Sequence, residues 1–238
     1  MRRRPTRWTA GRWLCAAVVL GLLGAGVPAC APEVESAVGG PPNIVLVIGD
    51  DQSWRDYGFM GSPVARTPHL DALAESGTVF THAFTTASVC RPSLRSLLTG
   101  LEPQRLEALE AKLRAEDVPM AELAAIRDVH TIPRTLGEHG YVSFQGGKHW
   151  EGPYGLVGFT EGTATAASPD GPAHDAIRES SGGRGLELGR STMTPLFDFL
   201  SAHRDDRFLV WFAPMLPHTP HDPPRALVDL YAETDLTR

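Results

Sequence analysis

Three pairs of reactive side chains each follow an apolar, strand-like segment of this 238-residue sequence. The pairs are Asp50 with Asp51, Lys148 with His149, and His218 with His221. In open α/β sheets, ligands bind beyond the carboxyl ends of the strands. We therefore expect the three pairs to meet at one rim of a sheet.

Asp50 and Asp51 are neighbouring carboxylates directly after a predicted strand. Two such charges repel each other, and a hard cation such as Ca²⁺ relieves that repulsion through oxygen ligands. The pair therefore indicates a metal site. The alternative is a polar loop in which one aspartate caps a backbone turn.

Cys90 stands just before the predicted helix Pro92–Thr99, close to Arg91 and Arg95. A helix N-terminus offers free amide donors and a partial positive charge, which favour a bound anion or an ionised nucleophile. The two arginines add cations. The alternative is that this cysteine is a small buried apolar residue.

Strands and helices alternate along the sequence, which predicts an α/β fold with a mostly parallel sheet. The predicted strands are Asn43–Ile48, Thr78–Phe84, Tyr141–Gln145 and Phe208–Phe212. The predicted helices are His69–Ser76, Pro92–Thr99, two surface helices within 104–128, Ile132–His139 and Met193–His203. A long loop is predicted over residues 151–190. The apolar run Asn43–Ile48 predicts a strand buried on both faces.

The N-terminus has the composition of an export signal. Five arginines and no acidic residue lie in the first 29 residues, together with the apolar run Trp13–Val27, which predicts a signal peptide over 1–29. Val27-Pro-Ala-Cys30 is similar to a lipobox, so we expect a lipid on Cys30, a tether over 30–41, and a periplasmic or cell-surface lipoprotein. Ordinary signal cleavage or a retained anchor are the alternatives.

Loss of those 29 residues changes the formal net charge from −6 to −11. Such an acidic protein does not bind nucleic acid through bulk electrostatics. Of the three cysteines, Cys15 and Cys30 belong to the export segment. Only Cys90 remains in the mature domain, which excludes a disulfide within it.

The motif Cys90-Arg-Pro-Ser93, followed by Leu98-Thr-Gly100, resembles the type I sulfatase family. Three other segments resemble the same family in the same order: Thr67–Ala74, Gly147-Lys148 and His218–Pro223. The resemblance implies a three-layer alkaline-phosphatase-like fold with a mostly parallel central sheet. It also implies that residues 42–238 are the N-terminal portion of a catalytic domain that is incomplete at its C-terminus.

The resemblance further implies hydrolysis of a sulfated small molecule or glycan. In the family the cysteine is oxidised by a formylglycine-generating enzyme, and a hydroxyl of the hydrated formylglycine attacks sulfur. By this likeness Cys90 supplies the nucleophile and, with Asp50 and Asp51, binds one divalent ion, usually Ca²⁺. Lys148 would bind sulfate oxygens, and His221 would contact the substrate or protonate the leaving oxygen. His149 and His218 are second choices.

The sequence departs from the family pattern beside the nucleophile. Leu94 replaces the family's arginine, and Arg95 stands one residue later, a rotation of about 100° on a helix. Family members also have a later acidic pair that completes the metal site, so we expect the 238-residue chain to bind Ca²⁺ weakly. Two other hypotheses remain: a phosphate or phosphonate monoester hydrolase, and an inactive, membrane-tethered protein that binds sulfated ligands.

Overall fold

The computed structural model describes residues 40–164 and 187–235. The predicted signal peptide, Cys30, nearly all of the tether and part of the loop predicted over 151–190 lie outside these ranges. Within them, no helix is both long and apolar enough to cross a bilayer.

A four-stranded parallel sheet forms the centre of the described chain. Its strands are β1 (Ile44–Val47), β2 (Val142–Gly147), β3 (Glu161–Gly162) and β4 (Phe208–Ala213). The spatial order is β1-β4-β2-β3, and every pairing is parallel. This confirms the predicted parallel sheet, and it places the carboxyl ends of the strands at one edge.

In the described ranges, six helices agree with the predicted segments to within a few residues. They are α1 (Pro68–Ser76), α2 (Cys90–Thr99), α3 (Pro103–Ala115), α4 (Ala121–Arg127), α5 (Ile132–Gly137) and α6 (Thr194–Ala202). A seventh, α7 (Arg225–Asp229), was not predicted. Helix α2 begins two residues earlier than predicted, so Cys90 is its first residue. It ends where Gly100 takes a left-handed conformation and donates its N–H to the Ser96 carbonyl.

Two hydrophobic cores cover opposite faces of the sheet and make three layers. On one face, Leu209 and Trp211 of β4 pack with Leu98 of α2. On the other face, Val210 packs with Phe199 of α6. Because successive strand residues point to opposite faces, the apolar run of β4 supplies both cores. The three-layer α/β architecture is confirmed.

Two strand predictions are wrong. The first strand is not buried on both faces, since Val45 and Val47 are 55% and 64% exposed. It lies at the edge of the sheet, and the face that carries Val45 and Val47 is not covered by any other described segment. The segment Thr78–Phe84 forms no strand at all, and Phe84 is almost fully exposed.

The helices predicted over 104–128 are not simply surface helices. Helix α4 buries Leu123 and Ile126, and α3 buries the carboxylate of Glu110. A buried carboxylate requires a partner, and Glu110 finds one on α2, as described below.

Candidate active site

A cavity of about 740 Å³ opens at the carboxyl edge of the sheet. Asp50 and Asp51 line it just beyond β1, Lys148 lines it just beyond β2, and Cys90 lines it from the start of α2. These four residues are distant in sequence, and the parallel strands bring them to one place. The expected rim is therefore formed by both members of the Asp50–Asp51 pair, by Lys148 of the second pair, and by Cys90.

Lys148 and Asp50 form a buried ion pair in the cavity wall. The Lys148 ammonium lies 2.7 Å from Oδ2 of Asp50, and the lysine is 1% exposed. The ammonium also lies 5.0 Å from the centre of the Trp150 ring, within the range of a cation–π contact. Few water molecules compete in these surroundings, which strengthens the contact between the ammonium and the Asp50 carboxylate.

The backbone at Lys148 is fixed by strand β4. The Lys148 N–H donates to the Ala213 carbonyl at 2.7 Å, and the Trp211 indole N–H donates to the Lys148 carbonyl at 3.1 Å. Gly147 makes this approach possible: its φ is +85°, and a Cβ there would lie 2.1 Å from the Ala213 oxygen. The glycine before the lysine is thus a steric requirement.

Asp50 and Asp51 differ in their surroundings. The Asp50 N–H donates to the Leu216 carbonyl at 2.9 Å, which joins the aspartate pair to the segment after β4. Asp51 has a φ of +60° and an exposed carboxylate, whose Oδ2 lies 3.6 Å from Nε2 of His218. One carboxylate is therefore held by a buried cation, while the other is open to solvent and to a histidine.

Cys90 is half-buried at the first position of α2. No side chain caps this end of the helix, and the first helical bond runs from Ser93 N–H to the Val89 carbonyl at 3.3 Å. The free amides of the first turn therefore lie beside the thiol, as the sequence predicted.

Leu94 and Arg95 lie on different sides of α2. Leu94 lines the cavity, at the position where the family pattern has arginine. Arg95 is buried and forms ion pairs with Glu110 and with Glu151, whose Oε1 lies 3.3 Å from Arg95 Nε. Arg95 is therefore outside the cavity lining, contrary to the expectation that it adds a cation there. The reason is the rotation of about 100° per helical residue.

Glu151 was missed by the sequence reasoning, because a single glutamate in a polar segment carries no signal of burial. It is fully buried, and its oxygens lie 3.0 Å from Nε and 3.4 Å from Nη2 of Arg91. Burial raises the pKa of Glu151, although the hydrogen bond and charge of Arg91 oppose this. Burial alone would lower the pKa of the partly buried Arg91, but pairing with Glu151 raises it.

His149 lies in the core and not in the cavity. Its ring is 6.4 Å from that of Phe159, edge to face, and within the described residues neither ring nitrogen has a hydrogen-bond partner. Burial lowers the pKa of His149 to about 3. The ring is therefore neutral at ordinary pH, and its place is unsuited to contact with a substrate.

The segment after β4 is held by Arg190, another residue that sequence reasoning missed. Its guanidinium donates to the carbonyls of Met215 (2.7 Å) and His218 (3.2 Å) and pairs with Asp222. His221 belongs to the same segment but is exposed and is absent from the residues that line the cavity. His218 is connected to the site by its contact with Asp51.

Residues 42–237 match the family model described as Sulfatase. The chain belongs to the sulfatase family.

Curated relatives include sulfatases from mammals. Over 106 residues the chain is 38% identical to N-acetylgalactosamine-6-sulfatase of Canis lupus familiaris, covering 43% of this chain and 20% of that protein. Over 112 residues it is 38% identical to arylsulfatase A of Homo sapiens, covering 47% of this chain and 21% of that protein. The matched part thus spans about a fifth of each of these sulfatases.

Solved structures with the same fold include Ps i-CgsB, with a TM-score of 0.59 and 22% identity over 83% of this chain and half of that one. BT4656, solved with D-glucosamine-2-N,6-O-disulfate, has a TM-score of 0.57 and 19% identity, covering 82% of this chain and 38% of that one. A phosphonate monoester hydrolase of Agrobacterium radiobacter has a TM-score of 0.51 and 17% identity, covering 78% and 43%. These likenesses support the alkaline-phosphatase-like fold.

Sulfatases generally use formylglycine and a divalent metal, and the cavity has donors for part of such a metal site. Asp50 and Asp51 supply hard carboxylate oxygens beside position 90, which suits a hard cation. Among residues 40–164 and 187–235, however, no three histidine, cysteine or carboxylate side chains are grouped closely enough to hold a metal. The described residues therefore fit a partial ligand set.

Proposed function

We propose that this protein hydrolyses sulfate esters in the cavity at the carboxyl edge of the sheet, using position 90 as the nucleophile. The observation that carries the proposal is the buried Lys148–Asp50 pair in the same cavity as Cys90. A sulfate group needs a fixed cation for its oxygens and a nucleophile in line with its leaving oxygen. The family membership of the chain supports this chemistry.

In this proposal Cys90 acts after oxidation to formylglycine by a formylglycine-generating enzyme. Helix α2 holds that residue at its uncapped N-terminus, where free amides favour negative charge. The Lys148 ammonium binds sulfate oxygens and stabilises the charge that grows on them in the transition state. His218 and His221 are the candidates to protonate the leaving oxygen, with His218 the nearer to the aspartates.

Asp50 and Asp51, with position 90, would hold one divalent ion, for which Ca²⁺ is the proposed species. When bound, such an ion acts as a Lewis acid on sulfate oxygens. Asp50 also orients Lys148, because the two charges are in contact. Asp51 is exposed and 3.6 Å from His218, so it can link a bound cation to that histidine.

The proposed substrate is a sulfated small molecule or glycan. A cavity of about 740 Å³ is within the size range of ligand pockets and can hold a sulfated sugar unit. The structural neighbour BT4656 was solved with a disulfated glucosamine, which supports this substrate class.

The test compares 4-nitrophenyl sulfate with 4-nitrophenyl phosphate and phenylphosphonate esters. It uses the chain produced with a formylglycine-generating enzyme, alongside a version extended with any downstream coding sequence. We expect kcat/KM to be highest for the sulfate and to be lost in Cys90→Ala. Sulfate hydrolysis that survives Cys90→Ala would reject the proposal, and a preference for phosphonate would move the activity to that ester class.

Leu94 favours a second candidate, a protein that binds sulfated ligands without turning them over. It replaces a cation of the family pattern with an apolar side chain in the cavity wall, which weakens the binding of an anion. It also alters the motif that the maturation enzyme recognises. An unmodified Cys90 thiol, together with measurable binding of inorganic sulfate, would favour this candidate.

The proposed location is the periplasm or cell surface, with the protein anchored by a lipid on Cys30. Support comes from the five arginines, the apolar run and the lipobox-like Val27–Cys30. Cys30→Ala is expected to release the protein from the membrane fraction and to change its gel mobility. Unchanged fractionation and mobility would reject the lipid anchor.

A further inference from the structure

A buried carboxylate joins the helix of Cys90 to the loop of Lys148. Glu151 lies three residues after Lys148, is 0% exposed, and receives both Nε and Nη2 of Arg91 in a forked contact. Arg95, one turn further along α2, approaches the same carboxylate from the same side of the helix. None of these three residues lines the cavity.

We infer that Glu151, Arg91 and Arg95 are positioning residues that set the distance between the nucleophile at position 90 and the Lys148–Asp50 pair. This inference rests on the proposed function, because it assigns these residues a role in that site. They act through the backbone: Glu151 through the loop 148–151, and the arginines through the first turns of α2.

The first turn of α2 needs such support. Val89 offers no side-chain cap, the bond from Ser93 N–H to the Val89 carbonyl is 3.3 Å long, and Pro92 has no N–H to donate. An uncapped helix end tends to fray, and here the fraying residue would be Cys90. The forked pairing of a guanidinium with a carboxylate fixes orientation as well as distance.

The loop on the other side is already fixed at one end. Lys148 is bonded to β4 through both its N–H and its carbonyl, and Trp150, two residues later, has a left-handed conformation with a φ of +68°. Glu110 of α3 pairs with Arg95, which completes a link from α3 through α2 to the loop. The role inferred for this buried network is to fix one arrangement of α2 and the loop rather than to add stability.

Arg91→Lys is the main test, because lysine keeps the positive charge beside Cys90 but cannot make the fork. The arginine side chain is 24% exposed, so the variant is expected to fold. In the full chain made without maturation, Cys90 should react with iodoacetamide about threefold faster, as the loosened turn exposes it. Mass spectrometry of the Cys90 peptide measures the rate without interference from Cys15 or Cys30.

In the matured protein, Arg91→Lys should lower kcat for 4-nitrophenyl sulfate about tenfold while KM changes less than about twofold. Glu151→Gln should change both readouts in the same direction. The matched control is Lys112→Met, which breaks an exposed pair with Glu116 on α3 and should alter neither.

A purely stabilising role predicts a different pattern: a lower Tm, with the alkylation rate and kcat of the folded protein unchanged. Such a result for Arg91→Lys would overturn the inference, as would a change in KM alone. If the matured wild type hydrolyses no sulfate ester, the proposed function fails, and the alkylation rate alone then decides whether Arg91 and Glu151 position Cys90.

Discussion

The ammonium of Lys148 lies 2.7 Å from the Asp50 carboxylate, although the two residues are 98 positions apart in the sequence. Both are buried, with 1% and 8% of their side chains exposed. Two opposite charges that leave water together are far less costly than either one alone. The contact therefore couples the stability of the fold to the chemistry of the site.

Removal of one partner of this pair should destabilise the protein strongly. Lys148→Met leaves the Asp50 carboxylate buried without a partner, so we expect the free energy of unfolding to fall by about 3–5 kcal/mol. The double variant Asp50→Asn with Lys148→Met should lose less than the sum of the two single variants. Urea unfolding measures all four proteins, and strictly additive losses would show that the two charges are not coupled.

Leu94 should limit the maturation of Cys90. We expect the wild-type chain to be converted to formylglycine in a host that has the maturation enzyme, and Leu94→Arg to be converted to a greater extent, because it restores the family motif. Mass spectrometry of the Cys90 peptide measures the fraction converted. An unmodified thiol in both proteins, in a host that converts another sulfatase, would contradict the nucleophile assignment.

His149 should make stability depend on acidity. Its pKa in the folded protein is about 3, below its ordinary value of 6.5, so between these values the unfolded state binds more protons. The contribution of His149 to the free energy of unfolding is therefore fully present above about pH 6.5. Below that pH, the free energy of unfolding falls by up to about 1.4 kcal/mol for each pH unit.

His149→Phe is the matched variant for this pH dependence, because phenylalanine keeps the ring contact with Phe159 and does not titrate. Urea unfolding between about pH 4 and pH 7.5 should show a shallower decline for the variant than for the wild type. Parallel curves would mean that the imidazole is protonated in the folded state.

Arg190 should keep the segment that carries His218 in place. Arg190→Lys removes the guanidinium whose Nη2 donates to the Met215 and His218 carbonyls, and we expect faster amide hydrogen exchange across residues 215–222. Asp222→Asn is the control, since the carbonyl bonds survive and the Asp222 side chain is 58% exposed. Equal exchange rates in the wild type and Arg190→Lys would show that the segment keeps its structure without the guanidinium.

Calcium should bind weakly to the 238-residue chain. Ca²⁺ takes six to eight oxygens, whereas the described residues offer the adjacent carboxylates of Asp50 and Asp51, one of them already paired with Lys148. We expect a dissociation constant of about a millimolar or weaker, measured by calorimetric titration beside Asp51→Asn. Tight binding that survives Asp51→Asn would point to other ligands, with Asp222 and Asp229 the first to replace.

Local pattern was enough to predict most elements of the fold. The apolar runs of β2 and β4 and the Gly100 stop of α2 act through backbone sterics and side-chain periodicity, which involve neighbours in sequence. The same reasoning failed for Val45, Val47 and Thr78–Phe84. Whether a strand is central, at an edge or absent depends on which other segments lie beside it, and a local pattern carries no such information.

The sequence by itself determined which residues could do the chemistry: Cys90 at a helix start, an aspartate pair after a strand, and a lysine after a glycine. Only the tertiary structure decided which of them meet. It brought Lys148 to Asp50, turned Arg95 away to Glu151 and placed His149 in the core. The physical reason is that a side chain's direction follows from a helix rotation of about 100° per residue and from the packing of distant segments.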